Sequence, residues 1–283
     1  MTTSARKGRE GERGEHQIIS CSQDRDLRIW GREDGLFLKK YDLSSFLAEN
    51  VQCIKLGKNE DNLFLGSKDM NVYLINIQKG KLCVVYEGHW NKVTEIYSVP
   101  KTDILITVSE SNVKVWDLEY DECIKNMNEH SSVIVYIEQH QDDEQQVMTI
   151  GEQFELKVWN YATGRISMQE QIDVGKDRKA LRNLQILCCD VVGQLAFIAL
   201  NNGEIAVHSI FENKQILNFN AWQSEEVIFL KAMLTRLNTY LIVVYRTACV
   251  LYQVKGDKVE RVCAYVLNSK KCPAHKHDVN NKY

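Results

Sequence analysis

The sequence has no apolar run longer than a strand, no excess of one charge, and few residues that break structure. None of its hydrophobic runs approaches the roughly 20 residues that cross a bilayer as a helix, so no membrane-spanning helix is expected. The opening MTTSARKGREGERGEH has no apolar stretch and does not read as a secretory signal. Basic and acidic residues number 35 and 38, are interspersed, and leave a net charge of −3, which is not the footprint of a nucleic-acid binder. Fifteen glycines and two prolines are spread through polar, ordinary loops. No glycine-rich phosphate cradle, nucleophile elbow or paired-histidine metal helix is present, so no catalytic role, cofactor or metal is expected. The expected partners are proteins or peptides, with no direct nucleic-acid binding and no membrane.

Nine cysteines might suggest a disulfide framework, but the number is odd and the spacing shows no pairing. Cys21, Cys53, Cys83, Cys123, Cys188, Cys189, Cys249 and Cys263 fall in or beside expected strands, where a thiol behaves as a small apolar group. A reducing compartment follows, cytoplasmic or nuclear.

What the sequence does contain is a repeat. The stretch Gly88 to Asp117 opens on Gly-His, closes on Trp-Asp, and holds short apolar runs at 93–99, 104–108 and 113–116, each of strand length. The slot of Trp116 recurs at Trp30, Ile75, Trp159, His208 and Tyr252, in steps of 45, 41, 43, 49 and 44 residues. Before each marker lies an apolar run and a turn, as in IISCSQDRDLRIW and ILITVSESNVKVW; after it comes a polar bend and another run. Gly-His and Trp-Asp at this period resemble the WD-repeat family of β-propellers. The resemblance covers residues 17–267 and implies an all-β propeller of about six blades of four antiparallel strands.

Residues 1–16 are charged or small and are expected to be disordered, as is the polar tail 268–283. With the chain entering a strand at Gln17, the first blade is expected to lack its inner strand. Propellers of this family most often have seven blades, so the array reads as a truncated or alternatively spliced form of a seven-bladed ring, the alternative being a ring that closes imperfectly at six.

The family's blades hold a buried polar set: a His before the first strand, a Ser or Thr, an Asp in the next turn, and the marker Trp. By spacing, Ser22, Asp24 and Trp30 match in the first repeat and Ser67 and Asp69 in the second; His89 with Trp116, and His130 with Trp159, match in the third and fourth. Glu110 and Gln153 stand where Asp is expected, so the array is degenerate and held mainly by apolar packing. His208 fills a marker slot and reads as a packing residue. Cys272, His275 and His277 make half of a zinc site without a second half. The cluster Asp142, Asp143, Glu144 reads as a solvated hairpin.

The remaining candidates are loops. In the family the connections between blades and the turns between second and third strands share the face where partners bind. Here they carry Arg25, Lys68, Met70, Trp90, Asn91, Phe154, Trp222 and Arg246, including the Trp and Arg residues that dominate interface energies. The expected function is a non-catalytic scaffold, a component of a larger complex, that takes an acidic or aromatic-bearing peptide on this face. A non-catalytic subunit of an enzyme complex, such as a ubiquitin-ligase substrate receptor or an RNA-modification assembly, is the alternative.

Overall fold

The computed structural model describes residues 2–7, 16–22, 24–140, 143–175, 183–210, 212–220, 225–236, 238–256 and 258–266. No described residue is helical. Among the described residues, twenty-four strands form six four-stranded antiparallel sheets, each a meander of four consecutive strands.

The first sheet holds β1 (Thr2–Lys7), β2 (His16–Cys21), β3 (Asp26–Gly31) and β4 (Phe37–Asp42). The second holds β5 (Val51–Leu56), β6 (Asn62–Ser67), β7 (Val72–Asn76) and β8 (Lys81–Tyr86). The third holds β9 (Glu95–Ser98), β10 (Ile104–Ser109), β11 (Asn112–Asp117) and β12 (Glu122–Met127). The fourth holds β13 (Ile134–Gln139), β14 (Gln146–Gly151), β15 (Glu155–Asn160) and β16 (Arg165–Gln171). The fifth holds β17 (Ile186–Val192), β18 (Leu195–Leu200), β19 (Glu204–Ser209) and β20 (Lys214–Asn220), and the sixth β21 (Val227–Leu234), β22 (Thr239–Tyr245), β23 (Ala248–Lys255) and β24 (Lys258–Val266).

All six marker residues fall on the third strand of their sheet. In five sheets the pairing of third to fourth strand slips immediately before the marker: at Ile29/Trp30, Leu74/Ile75, Val115/Trp116, Val207/His208 and Leu251/Tyr252. Such a bulge re-aims the next side chain, which gives the repeat a backbone signature even where the marker is not Trp.

Burial follows the strand's place in the sheet. Second strands such as β10 (ILITVS) and β18 (LAFIAL) are buried at nearly every residue, so both faces are apolar. Fourth strands such as β16 and β20 alternate half-buried with exposed residues, as an outer edge requires.

The chain divides into two compact units, Met1–Met148 with Val158–Ser167, and Thr149–Lys157 with Met168–Tyr283. Within the first unit, described residues form cores between neighbouring sheets. Ile19, Leu27 and Ile29 of the first sheet pack with Leu63, Leu65 and Ile75 of the second. Phe64, Val72 and Tyr86 pack with Ile96, Leu105 and Trp116 of the third. Ile106, Val108 and Val113 pack with Ile134, Val147 and Trp159 of the fourth. In the second unit, Phe197, Ile205 and Val207 of the fifth sheet pack against Leu230, Leu241, Val243 and Val250 of the sixth.

The first sheet corrects the sequence reading. Thr2–Lys7, expected to be disordered, pairs with β2 from Thr2 opposite Cys21 to Lys7 opposite His16, so this sheet does not lack its first strand. Hydrophobic periodicity registers buried side chains, whereas a strand added to an open edge needs only its backbone ladder. The tail 268–283, with Cys272, His275 and His277, lies outside the described residues.

Candidate interaction surface

Each hairpin between second and third strands is hydrogen-bonded to a connection between sheets. In the first unit, the Arg25 guanidinium donates to the Leu47 and Ala48 carbonyls at 3.0 and 3.3 Å. Lys68 N donates to Asn50 O at 2.9 Å and Val93 N to Ser67 O at 3.0 Å. Ser109 Oγ donates to Asn91 O at 2.8 Å, and Ile134 N to Glu110 O at 2.9 Å. These bonds stitch the loops around residues 25, 47–50, 67–70, 90–93, 109–112 and 132–134 into one continuous surface. The second unit repeats the device, with Ile186 N donating to Glu152 O and Asn201 N to Gln185 O.

The Gly-His-Trp run is the point where this surface turns outward. Gly88 has φ of +122°, a conformation that side-chain-bearing residues rarely adopt. Beyond it, His89 is buried and its Nε2 lies 2.6 Å from Thr107 Oγ1. The same hydroxyl oxygen accepts the Trp116 Nε1–H at 2.8 Å, and the Tyr86 ring meets Trp116 edge-on at 5.4 Å. The next residue does the opposite: Trp90 is 86% exposed. His89 therefore anchors the connection while its neighbour stands in solvent between the turns of the second and third sheets.

His89 Nδ1 is buried without a partner. The third sheet's hairpin explains it. Ser109 pairs with Asn112, leaving a two-residue loop, whereas the first and second sheets leave three residues between Ser22 and Asp26 and between Ser67 and Asn71. The shorter turn puts Glu110 at positive φ, with its carboxylate accepting from Asn91 Nδ2 at 2.6 Å instead of facing His89. Burial first, then the nearby Lys114 charge, lower the His89 pKa to about 4.

The other network residues divide. Trp30 Nε1 donates at 2.8 Å to Ser20 Oγ, and Ser22 donates instead to Asp24, whose carboxylate also accepts from Asp26 N and Arg28 Nη2. Ser20 therefore holds the place of Thr107, and Ser22 does not. A signal for it existed: the hydroxyl precedes its Trp by ten residues in the first repeat, and by nine in the third because that turn is one shorter. Ser67 Oγ donates weakly to Asn50 O at 3.5 Å, and Asp69 accepts from Asn71 N and from the Tyr73 hydroxyl. The His130 ring lies 5.7 Å from that of buried Trp159. His208 is buried, with Nδ1 2.9 Å from Asp173 O, and burial lowers its pKa.

Of the loop candidates, Lys68, Met70, Asn91 and Arg246 are exposed, and Arg25 is committed to its two carbonyls. Phe154 is a correction. It shares with Arg25 and Met70 the hairpin position at positive φ, yet it is only 2% exposed and belongs to the core. A turn position alone does not set which way a side chain faces; an apolar ring there folds inward. Trp222 lies outside the described residues. Asp143 caps its turn, accepting from Gln145 N and Gln146 Nε2 at 2.8 Å each; Asp142 is not among the described residues.

Comparison with known proteins agrees with this architecture. The sequence profile of the family "WD domain, G-beta repeat" matches residues 80–117. The mouse kinesin-like protein KIF21B is 31% identical over 80 residues, 28% of this chain and 5% of that protein. Periodic tryptophan protein 2 of Arabidopsis thaliana is 23% identical over 160 residues, 55% of this chain and 17% of that protein. The chain thus spans a small part of the length of these relatives. The solved structures of U3-55K and of the RRP9 WD40 repeats each superpose with a TM-score of 0.71 and 14% identity over 89% of this chain, covering 78% and 77% of theirs. A chain of the mitotic checkpoint complex superposes with a TM-score of 0.67 at 11% identity, again over 89% of this chain and 77% of its own. The chain has the β-propeller fold of these solved structures, built from six four-stranded sheets among its described residues, and its residues 80–117 match the WD domain, G-beta repeat.

Proposed function

We propose that this protein is a non-catalytic scaffold that binds a protein or peptide on the hairpin-and-connection surface around Trp90. The observation that carries the reading is the contrast along one short run: His89 is buried and bonded, with its ring against that of buried Trp116, while the next residue, Trp90, is 86% exposed. An indole left in water forgoes a large apolar contribution, and Trp is the residue type most enriched among interface hot spots. Lys68 and Lys92 are exposed beside it, and Glu110 is occupied by Asn91. The surface therefore favours an acidic segment with an apolar or aromatic anchor.

The non-catalytic reading is supported by the WD-repeat fold and by the use of His89 and His208 as packing and hydrogen-bonding residues. Membership of a larger complex is supported by the likeness to a chain of the mitotic checkpoint complex. Selection of a random peptide library on the immobilised protein tests the reading. Enrichment of acidic, aromatic-bearing sequences that is lost on Trp90→Ala supports it; no enrichment, or enrichment unchanged by the substitution, refutes it.

A further inference from the structure

The face of the third sheet that His89 covers holds two buried groups that need an acceptor and have none. The strand registers set Thr107, Lys114 and Asn126 in one row across β10, β11 and β12, and residues paired in an antiparallel ladder share a face. His89 lies on this row through its 2.6 Å contact with Thr107. Thr107 already accepts the Trp116 Nε1–H, so its own proton goes to His89 Nε2 and the ring carries its proton on Nδ1. That donor is buried and makes no hydrogen bond. Lys114 is only 8% exposed, and among the described residues no hydrogen bond or ion pair reaches its ammonium. Its charge lies near the ring, since after burial itself it is what lowers the His89 pKa; Asn112 acts the other way but makes no hydrogen bond to Nδ1. Asn112 Nδ2 donates to Asn126 Oδ1 at 2.6 Å and to Asn128 Oδ1, which leaves the amino groups of both as further donors.

A donor and a charge buried side by side without an acceptor cost the free protein stability and mark a place for an anion. The third hairpin does not provide one, because the Glu110 carboxylate is held by Asn91 Nδ2 at 2.6 Å. We propose that His89 Nδ1 and Lys114 Nζ form a subsite for one carboxylate group that the protein does not itself supply. A single ammonium beside a neutral imidazole suits a singly charged carboxylate better than a phosphate dianion. The way in lies beside Gly88, where an added Cβ would meet nothing within 4 Å, so the backbone leading to His89 borders open space. An acidic side chain of a bound peptide and a free small acid present the same group. In its peptide form the inference rests on the interaction surface proposed above, but it draws on buried groups and not on Trp90.

Nuclear magnetic resonance of the full chain at pH 7 and constant ionic strength tests this, with the His89 imidazole and Trp116 indole signals followed during titration. The probes are acetate, acetamide, inorganic phosphate and the peptide acetyl-Ala-Asp-Ala-amide. Acetate should shift both signals saturably with a Kd of about 1–10 mM, and acetamide, of the same shape without the charge, should not. Lys114→Met should raise the acetate Kd at least about tenfold. Because it removes an unpaired buried charge, it should melt no lower than the natural chain. Trp90→Ala should leave the acetate Kd unchanged, so failure of the Trp90 reading and failure of this subsite are separate results. A peptide bound more than about tenfold tighter than acetate assigns the carboxylate to a partner chain; equal or weaker binding assigns it to a free small acid. No saturable shift with acetate, an equal shift with acetamide, phosphate bound tighter than acetate, an acetate Kd unchanged by Lys114→Met, or a lower melting temperature of that variant overturns the proposal.

Discussion

Acid should weaken this fold through His89 in particular. The ring is buried, one nitrogen is bonded to Thr107 and the other has no hydrogen-bond partner within normal distance, so burial and the Lys114 charge disfavour a proton on it more than nearby Asn112 favours one. Its folded-state pKa falls to about 4, against about 6.5 when exposed. Between those values the unfolded chain binds more protons, so stability rises with pH. The His89 contribution is complete above about pH 6.5 and is lost as pH falls toward 4. A difference of that size corresponds to about 3 kcal/mol, a large share of the 5–15 kcal/mol typical of a domain. Urea midpoints measured from pH 7.5 to pH 4 on the natural chain and on His89→Gln isolate it. Gln keeps a group able to bond Thr107 but cannot be charged. The variant should begin less stable at pH 7.5 and lose less on acidification, by about the 3 kcal/mol assigned to His89. Equal slopes for the two proteins would refute the assignment of the acid sensitivity to this ring.

Three further substitutions probe the packing. Thr107→Val removes the oxygen that serves both Trp116 Nε1 and His89 Nε2 and should cost about 2–4 kcal/mol in urea unfolding. A cost within experimental error would mean the hydroxyl does not organise the sheet. At Gly66 a methyl group would stand 2.5 Å from Cys53 Sγ and 2.8 Å from Val93 Cγ1, so Gly66→Ala should destabilise by about 1–3 kcal/mol, read as a lower melting temperature. Asp190 is buried and accepts from Ala232 N and Lys231 Nζ at 2.7 Å each. Asp190→Ala should cost about 2–3 kcal/mol through the stranded Ala232 N–H, and hydrogen exchange at Ala232 should rise.

Much of the fold was legible because the signal is repeated. Any one alternating run is ambiguous, but six markers at a near-constant period fixed the third strand of every sheet, even at Ile75, His208 and Tyr252 where the residue type gave no help. The missing features are those that backbone pairing or turn length decides. Thr2–Lys7 pairs through its backbone and its sequence TTSARK has no apolar alternation, and spacing alone points to Ser22 in place of Ser20 because the hairpins differ in length by one residue. The surface was legible in part. Trp90, Lys68 and Met70 are exposed, whereas Phe154, at the same turn position as Met70, is buried because an aromatic ring gains more inside than at the surface.

The binding claim is tested most directly by an affinity measurement on a partner isolated by capture from cells, with the natural chain and Trp90→Ala compared for binding and melting temperature. Losing a hot-spot indole costs about 2 kcal/mol or more, roughly a thirtyfold rise in Kd. Because Trp90 is almost wholly exposed, the melting temperature should stay within about 1 °C, as for other surface substitutions. A thirtyfold loss of affinity at unchanged stability is the predicted result; unchanged affinity would contradict the proposed site, and a loss of several degrees would make Trp90 a structural residue.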